Sequence, residues 1–151
     1  MLLEVKVKRL RPSAKIPMFG STEAAGADLY ACLQDIDCPA VEIKPHETKV
    51  IPLGFATQFA PGHVALLYAR GGTATKKGAA PANKVGVIDS DYRGEWMAPM
   101  HNHTNETIII EDGERIAQMV LQEVERPTFV EVNDLSNTER GEGRFGSTGI
   151  K

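Results

Sequence analysis

Leu3, Val5 and Val7 fall on one side of an extended chain and Glu4, Lys6 and Lys8 on the other, which is the period of a half-buried strand over residues 2–10. Strand-like runs recur at Val41-Glu42-Ile43, Thr48-Lys49-Val50-Ile51, residues 55–59, residues 96–103 and residues 106–110. The apolar run His63-Val64-Ala65-Leu66-Leu67-Tyr68-Ala69 suits a central strand. Pro45, Pro61-Gly62, Asn102, Asn105 and Asp112-Gly113 separate these runs and favour turns. Residues 115–124 fit both a strand and a helical period, and the strands around them tip the reading to strand. Small residues between 70 and 78 suggest the one short helix. Roughly ten short strands, no long amphipathic helix and no internal repeat predict an all-β sandwich or barrel.

A length of 151 residues suits one hydrophobic core, so a single domain over 1–151 is expected. The net charge of -3 argues against a general nucleic-acid binder, because affinity for a phosphate backbone needs many cationic contacts. A small anionic ligand needs only a local cluster. No apolar run approaches the about 20 residues of a membrane span. There is no basic and apolar leader, and Cys32 and Cys38 would close only a small loop, so a soluble, reduced, intracellular protein is expected. No His or Cys completes a zinc-finger spacing, and His46, His101 and His103 read as surface or turn residues.

Candidate chemistry lies in three places. Gly86-Val87-Ile88-Asp89-Ser90-Asp91-Tyr92-Arg93-Gly94-Glu95 reads as a strand entering a tight glycine-closed turn, a hairpin tip that is either a solvated surface turn or a support for exposed polar groups. Asp28 is the lone charge in Ala25-Gly26-Ala27-Asp28-Leu29-Tyr30-Ala31, and is either structurally hydrogen-bonded or near a cation. Gln118 sits in an apolar segment and must find hydrogen-bond partners.

Residues 140–149 match GxGxxG formally, but the dinucleotide fingerprint needs a preceding strand and a following helix. A P-loop fails because Ser147 stands where its lysine belongs. Backbone N–H groups, Arg140, Arg144, Ser147 and Thr148 suit a polyphosphate, with Phe145 available to stack on a base; the alternative is a plain polar tail.

Five stretches, in order, resemble the five motifs of the trimeric dUTPase family: residues 25–31, 70–78, 83–95, 113–118 and 140–149. The resemblance implies a β jelly-roll with one short helix and an extended C-terminal arm, 138–151, that is glycine-rich and mobile. It implies a homotrimer with active sites shared between subunits, and hydrolysis of dUTP to dUMP and pyrophosphate with Mg²⁺. Carried over by motif position, Asp89 would hold the attacking water. Asn83, Gly86 and Val87 would present backbone to uracil, Tyr92 would pack beneath the deoxyribose, and Phe145 would stack on the base. Arg70, Gly71, Gly72, Gln118, Arg140, Ser147 and Thr148 would contact phosphates, and Asp28 would reach the metal through water.

Two positions depart from the family pattern. Gly71 stands in place of the usual serine of Arg-Ser-Gly, which removes a hydroxyl aimed at the leaving group unless Thr73 or a water supplies it. Arg144 replaces a glycine in the arm. Gly71 gives force to an alternative, a binding or regulatory module that holds dUTP without turnover. A dCTP deaminase of the same fold is a second alternative, and the Ile88-Asp89-Ser90-Asp91-Tyr92 turn favours the dUTPase over it.

Overall fold

The computed structural model describes residues 3–37 and 39–145. It is almost entirely β, as the sequence predicts, and every strand pairing is antiparallel. The strands are β1 (Lys6–Arg9), β2 (Met18–Phe19), β3 (Ala27–Tyr30), β4 (Ala40–Ile43), β5 (Thr48–Pro52) and β6 (Phe55–Gln58), then β7 (His63–Ala69), β8 (Ala79–Pro81), β9 (Gly86–Asp89), β10 (Met97–Asn102), β11 (Ile108–Glu111) and β12 (Arg115–Glu123). A five-stranded sheet runs β2-β3-β12-β7-β9, a three-stranded sheet runs β5-β10-β8, and β1-β6 and β11-β4 form two-stranded pairs. The arrangement is jelly-roll-like, with an extended C-terminal arm.

Alternation places Leu29, Leu67, Ile110, Ile116 and Met100 in one core with Trp96, Phe55 and Ile51. The Trp96 indole is fully buried, tilts against Phe55 at 5.3 Å, and donates its N–H to Thr57 Oγ1 at 3.1 Å. Trp96 is thus a packing residue whose polar edge is satisfied. Asn102, expected only as a break, is also fully buried. Its Nδ2 contacts the carbonyls of Ile43, Lys44 and Glu106 at 2.9, 3.1 and 2.7 Å, while Oδ1 accepts from the amide and hydroxyl of Thr104. One side chain therefore ties β4, β10 and the 103–107 loop together.

The ambiguous segment 115–124 is the long central strand β12, paired to β3 on one side and β7 on the other. The expected short helix is a single π-helical turn, Thr73–Lys77, stopped by Gly78 at φ 72°. A one-turn 3-10 helix, Gln34–Ile36, was not anticipated from the sequence; Asp112 Oδ1 accepts from the amides of Leu33 and Gln34 at its start.

The hairpin expected at residues 86–95 is not formed. β9 pairs with β7, and after Gly94 the chain leaves for β10 in the other sheet. The cause lies at Trp96, whose amide donates to Phe55 O and whose carbonyl accepts from Leu53 N, so burial of the indole pulls the outgoing chain across the core.

Candidate active site

Two groups of candidate residues lie at opposite ends of β7. At its C-terminal end Arg70 follows Ala69 directly, and the register sets Asp28 of β3 opposite Gln118 of β12, with Tyr68 of β7 opposite Gln118 on the other side. Asp28 is gripped by two guanidinium groups: Arg70 Nε to Oδ1 at 3.0 Å and Arg115 Nη1 to Oδ2 at 3.2 Å. The lone carboxylate of this segment therefore has cationic partners, one of the two readings left open by the sequence. Gln118 Nε2 donates to Ala69 O at 2.9 Å, which satisfies the polar side chain in its apolar strand. A Cβ at Gly26 would stand 2.5 Å from Gln118 Oε1, so the missing side chain at 26 is what leaves room for the Gln118 amide.

These residues open on a cleft of about 520 Å³ that Gly71, Gly72, Lys76 and Arg115 also line. Three cationic side chains and one carboxylate give it a positive balance suited to a polyanion. Lys76 and Arg115 were assigned no role from the sequence. Arg115 precedes Ile116 at a β-bulge, and Lys76 lies on the π-helical turn; each was visible only as one charge among many.

Gly71 is exposed, and nothing lies within 4 Å of the place its Cβ would occupy. Thr73 does not replace the missing hydroxyl: it is buried and donates to Arg115 O at 2.9 Å. Thr75 Oγ1 is also engaged, donating to Gly71 O at 2.7 Å.

At the other end of β7, Asp89 pairs in register with Val64 and Gly86 with Leu67. Asp89 and Val87 are exposed, Gly86 is buried, and Asn83 is exposed in the turn before β9. A Cβ at Gly86 would come within 3.1 Å of Leu67 Cβ, so β9 lies close against β7. β9 is an edge strand, and its outer side has no strand partner among the described residues.

Tyr92, 43% exposed, sits over Gly94 and donates its hydroxyl to Glu95 O at 3.0 Å. Arg93 Nη1 donates to Ser90 O at 2.8 Å and Thr57 O at 3.3 Å, fixing the turn to β6.

From Val64 to Arg70 is six steps along a strand, or roughly 20 Å at the usual rise. Asp89 and the Asp28–Arg70 cluster of one chain are therefore too far apart to meet over one phosphorus.

Residues 125–145, which lead into and include the described part of the arm, are exposed save for the half-buried Gly143. Phe145 is 106% exposed, and Arg140 Nε donates to Gly143 O at 3.1 Å, closing a small turn. Ser147 and Thr148 lie outside the described residues.

No group of three or more His, Cys, Asp or Glu side chains able to hold a metal occurs among the described residues. No helix among them is long and apolar enough to cross a membrane.

The chain resembles known proteins over nearly its full length. A nucleotidohydrolase of Hydrogenobaculum sp. strain Y04AAS1, named for deoxyuridine 5'-triphosphate, is 42% identical across 99% of this chain and 100% of its own length. The deoxyuridine 5'-triphosphate nucleotidohydrolase of Nautilia profundicola is 44% identical across 97% and 99%. In three dimensions, the Staphylococcus bacteriophage 80alpha dUTPase with dUPNHPP superposes with a TM-score of 0.85 at 27% identity, over 97% of this chain and 99% of that one. The dUTPase family model matches residues 12–149. With a family model matched over most of its length and relatives above 40% identity across nearly all of it, the chain belongs to the dUTPase family, the dUTP diphosphatases.

Proposed function

We propose that this protein hydrolyses dUTP to dUMP and pyrophosphate in sites completed by neighbouring copies of the chain in a homotrimer. The observation that carries the proposal is the separation of roughly 20 Å between Asp89 and Arg70 along β7. A nucleotide with its base and sugar on the β9 side of one copy needs the phosphate cleft of another. The segment after β12 and the arm that follows it, with Phe129, Val130, Leu135 and Phe145 exposed, suit a role on a neighbouring copy.

In this reading residues 1–151 form one catalytic domain, and 138–151 act as its mobile lid. The free edge of β9 meets uracil much as an added strand would. Backbone from Asn83 through Gly86 and Val87 sets a fixed donor and acceptor pattern, and cytosine leaves part of it unpaired. Tyr92 packs beneath the deoxyribose and leaves no space for a 2′-hydroxyl. Asp89 holds a water in line with the α-phosphorus, and orientation of that water is its main contribution. Arg70, the Gly71-Gly72 backbone and Gln118 hold the phosphates. From the arm, Arg140, Ser147 and Thr148 add phosphate contacts, and Phe145 stacks on uracil as the lid closes.

The cleft offers one carboxylate, Asp28, already bonded to two arginines, and the described residues include no cluster of three or more metal-ligating side chains. That donor set fits Mg²⁺ carried on the triphosphate and reached from Asp28 through water. When bound, Mg²⁺ neutralises phosphate charge.

The test is pyrophosphate release from dUTP with Mg²⁺. Native protein is expected to turn over, and both Asp89→Asn and Arg70→Ala to lose at least about 100-fold in kcat. Mixed oligomers of the two inactive variants should regain part of the activity, because some of their sites draw an intact Asp89 and an intact Arg70 from different copies. Mixtures that stay inactive although they co-assemble overturn the shared site.

A binding module that holds dUTP without turnover is the second reading, favoured by the open space at Gly71. It is established if the native protein is inactive and Gly71→Ser is active. Ammonium release from dCTP overturns both readings in favour of deamination.

A further inference from the structure

Arg11 lies outside every motif, in the segment after β1, yet it makes a two-pronged contact 84 residues away. Its Nε reaches Glu95 Oε1 at 2.6 Å and its Nη2 reaches Oε2 at 3.0 Å. Two parallel bonds from a planar fork fix a carboxylate in direction as well as distance. The side chains are 25% and 16% exposed, so solvent screens the pair only partly. The hydrogen bond to Glu95 raises the Arg11 pKa further above its ordinary value.

Both ends of this pair converge on one residue, Gly54. Gly54 O accepts from the amides of Leu10 and Arg11 at 2.8 and 3.2 Å, while Gly54 N donates to Glu95 Oε1 at 3.1 Å. Gly54 has φ 79°, and a Cβ there would stand 2.6 Å from Cys32 Sγ and 2.7 Å from Ala14 Cβ. The hub is therefore a glycine in the left-handed region, pressed against the core, with little freedom to shift.

On its far side the clamp meets Tyr92. The Tyr92 hydroxyl donates to the carbonyl of Glu95, and a Cβ on Gly94 would overlap the phenol ring. The ring thus rests on the peptide whose side chain Arg11 holds.

We propose that Arg11 and Glu95 are positioning residues for Tyr92, and that the chain's preference for deoxyribonucleoside over ribonucleoside triphosphate depends on this clamp. The inference rests on the reading of Tyr92 as the residue beneath the sugar. If Tyr92 excludes a 2′-hydroxyl sterically, its power to do so falls as its seat loosens, since a side chain free to retreat makes room. Arg93 holds the same turn to β6, so loosening the clamp leaves the turn in place and frees its far end.

The experiment measures kcat and KM for dUTP and for UTP with Mg²⁺ in the native protein and in Arg11→Ala, Arg11→Lys, Glu95→Gln, the swap Arg11→Glu/Glu95→Arg, and Tyr92→Ala. Arg11→Lys keeps the charge and loses the fork, and Glu95→Gln keeps the acceptor for Gly54 N, so both are gentle on folding. Arg11→Ala and Glu95→Gln are expected to lower the dUTP-to-UTP ratio of kcat/KM by about ten-fold, chiefly by lowering KM for UTP. Arg11→Lys should fall between them and the native protein, and the swap should recover part of the loss. In a Tyr92→Ala background, Arg11→Ala should add nothing, because the two act through one contact.

A ratio that Tyr92→Ala abolishes but Arg11→Lys and Glu95→Gln leave at the native value overturns the clamp alone. A native protein without preference, or a preference that survives Tyr92→Ala, overturns the role of Tyr92 and the clamp with it.

Discussion

Arg70 Nε lies 3.0 Å from Asp28 Oδ1, so the cationic side chain proposed to bind phosphate is already aimed before any ligand arrives. Arg115 takes the other carboxylate oxygen, and Asp28 becomes the part that keeps two mutually repelling guanidinium groups facing one cleft. Their rotamers are fixed by protein, which lowers the ordering cost of binding a triphosphate.

Replacing Asp28 with Asn should leave the two arginines without their counter-charge. The expected result is a dUTP KM raised about ten-fold or more, with stability lowered by about 1–3 kcal/mol because the carboxylate is only partly buried. Steady-state kinetics and urea melts check this. A KM at the native value would show that the arginines are placed without Asp28.

Asn102→Ala should be among the most damaging single changes. It empties a fully buried position and removes the partner shared by the carbonyls of Ile43, Lys44 and Glu106 and by the amide and hydroxyl of Thr104. A loss of about 3 kcal/mol or more is expected from thermal or denaturant unfolding.

Acid should cost stability through His103. Burial, and then the positive neighbours His101, Lys84 and His46, hold its pKa below the ordinary 6.5. The unfolded chain therefore binds a proton that the folded chain refuses, and stability rises with pH through this window. The contribution is complete above about pH 6.5 and is lost on acidification through the lowered folded value. His103→Gln should flatten this part of the curve; because the ring is largely exposed, the effect is small. Urea midpoints from pH 5 to 8 measure it.

Truncation after Asn137 should collapse turnover while leaving the oligomer and the melting temperature nearly unchanged. Of the segment removed, residues 138–145 are exposed save for the half-buried Gly143, and none of them belongs to the core. Sizing chromatography and pyrophosphate release together check both halves, and unchanged turnover would remove Phe145, Ser147 and Thr148 from the site.

The sequence was most informative where periodicity and burial coincide. The strand expected at residues 63–69 is β7, residue for residue, because an unbroken apolar run between Pro61-Gly62 and Arg70-Gly71 leaves little alternative. The segment 115–124 became β12 because strands lie on both sides of it.

Legibility ended where long-range pairing decides. Nothing local to residues 86–95 says that β9 joins β7 while Trp96 draws the next strand into another sheet. The Arg11–Glu95 contact spans 84 positions and leaves no motif. Thr73 looked available as a hydroxyl donor only until its burial against Arg115 O was known. Lys76 was anonymous until the π-helical turn set it beside Asp28 and Arg70 in one cleft. Motif order singled out the candidate residues, but their division between the two ends of β7 required the fold.

The two ends also differ in how easily they open. Gln118 lies in the stretch of β12 that is paired on both sides within the five-stranded sheet, so exposing its amide to exchange requires disrupting the middle of the domain. Gly86 to Asp89 belong to an edge, which can fray alone. The Gln118 end therefore inherits the lifetime of the whole fold and the Asp89 end only that of its rim. Occupancy by a nucleotide has most to gain there, as slower hydrogen exchange along β9.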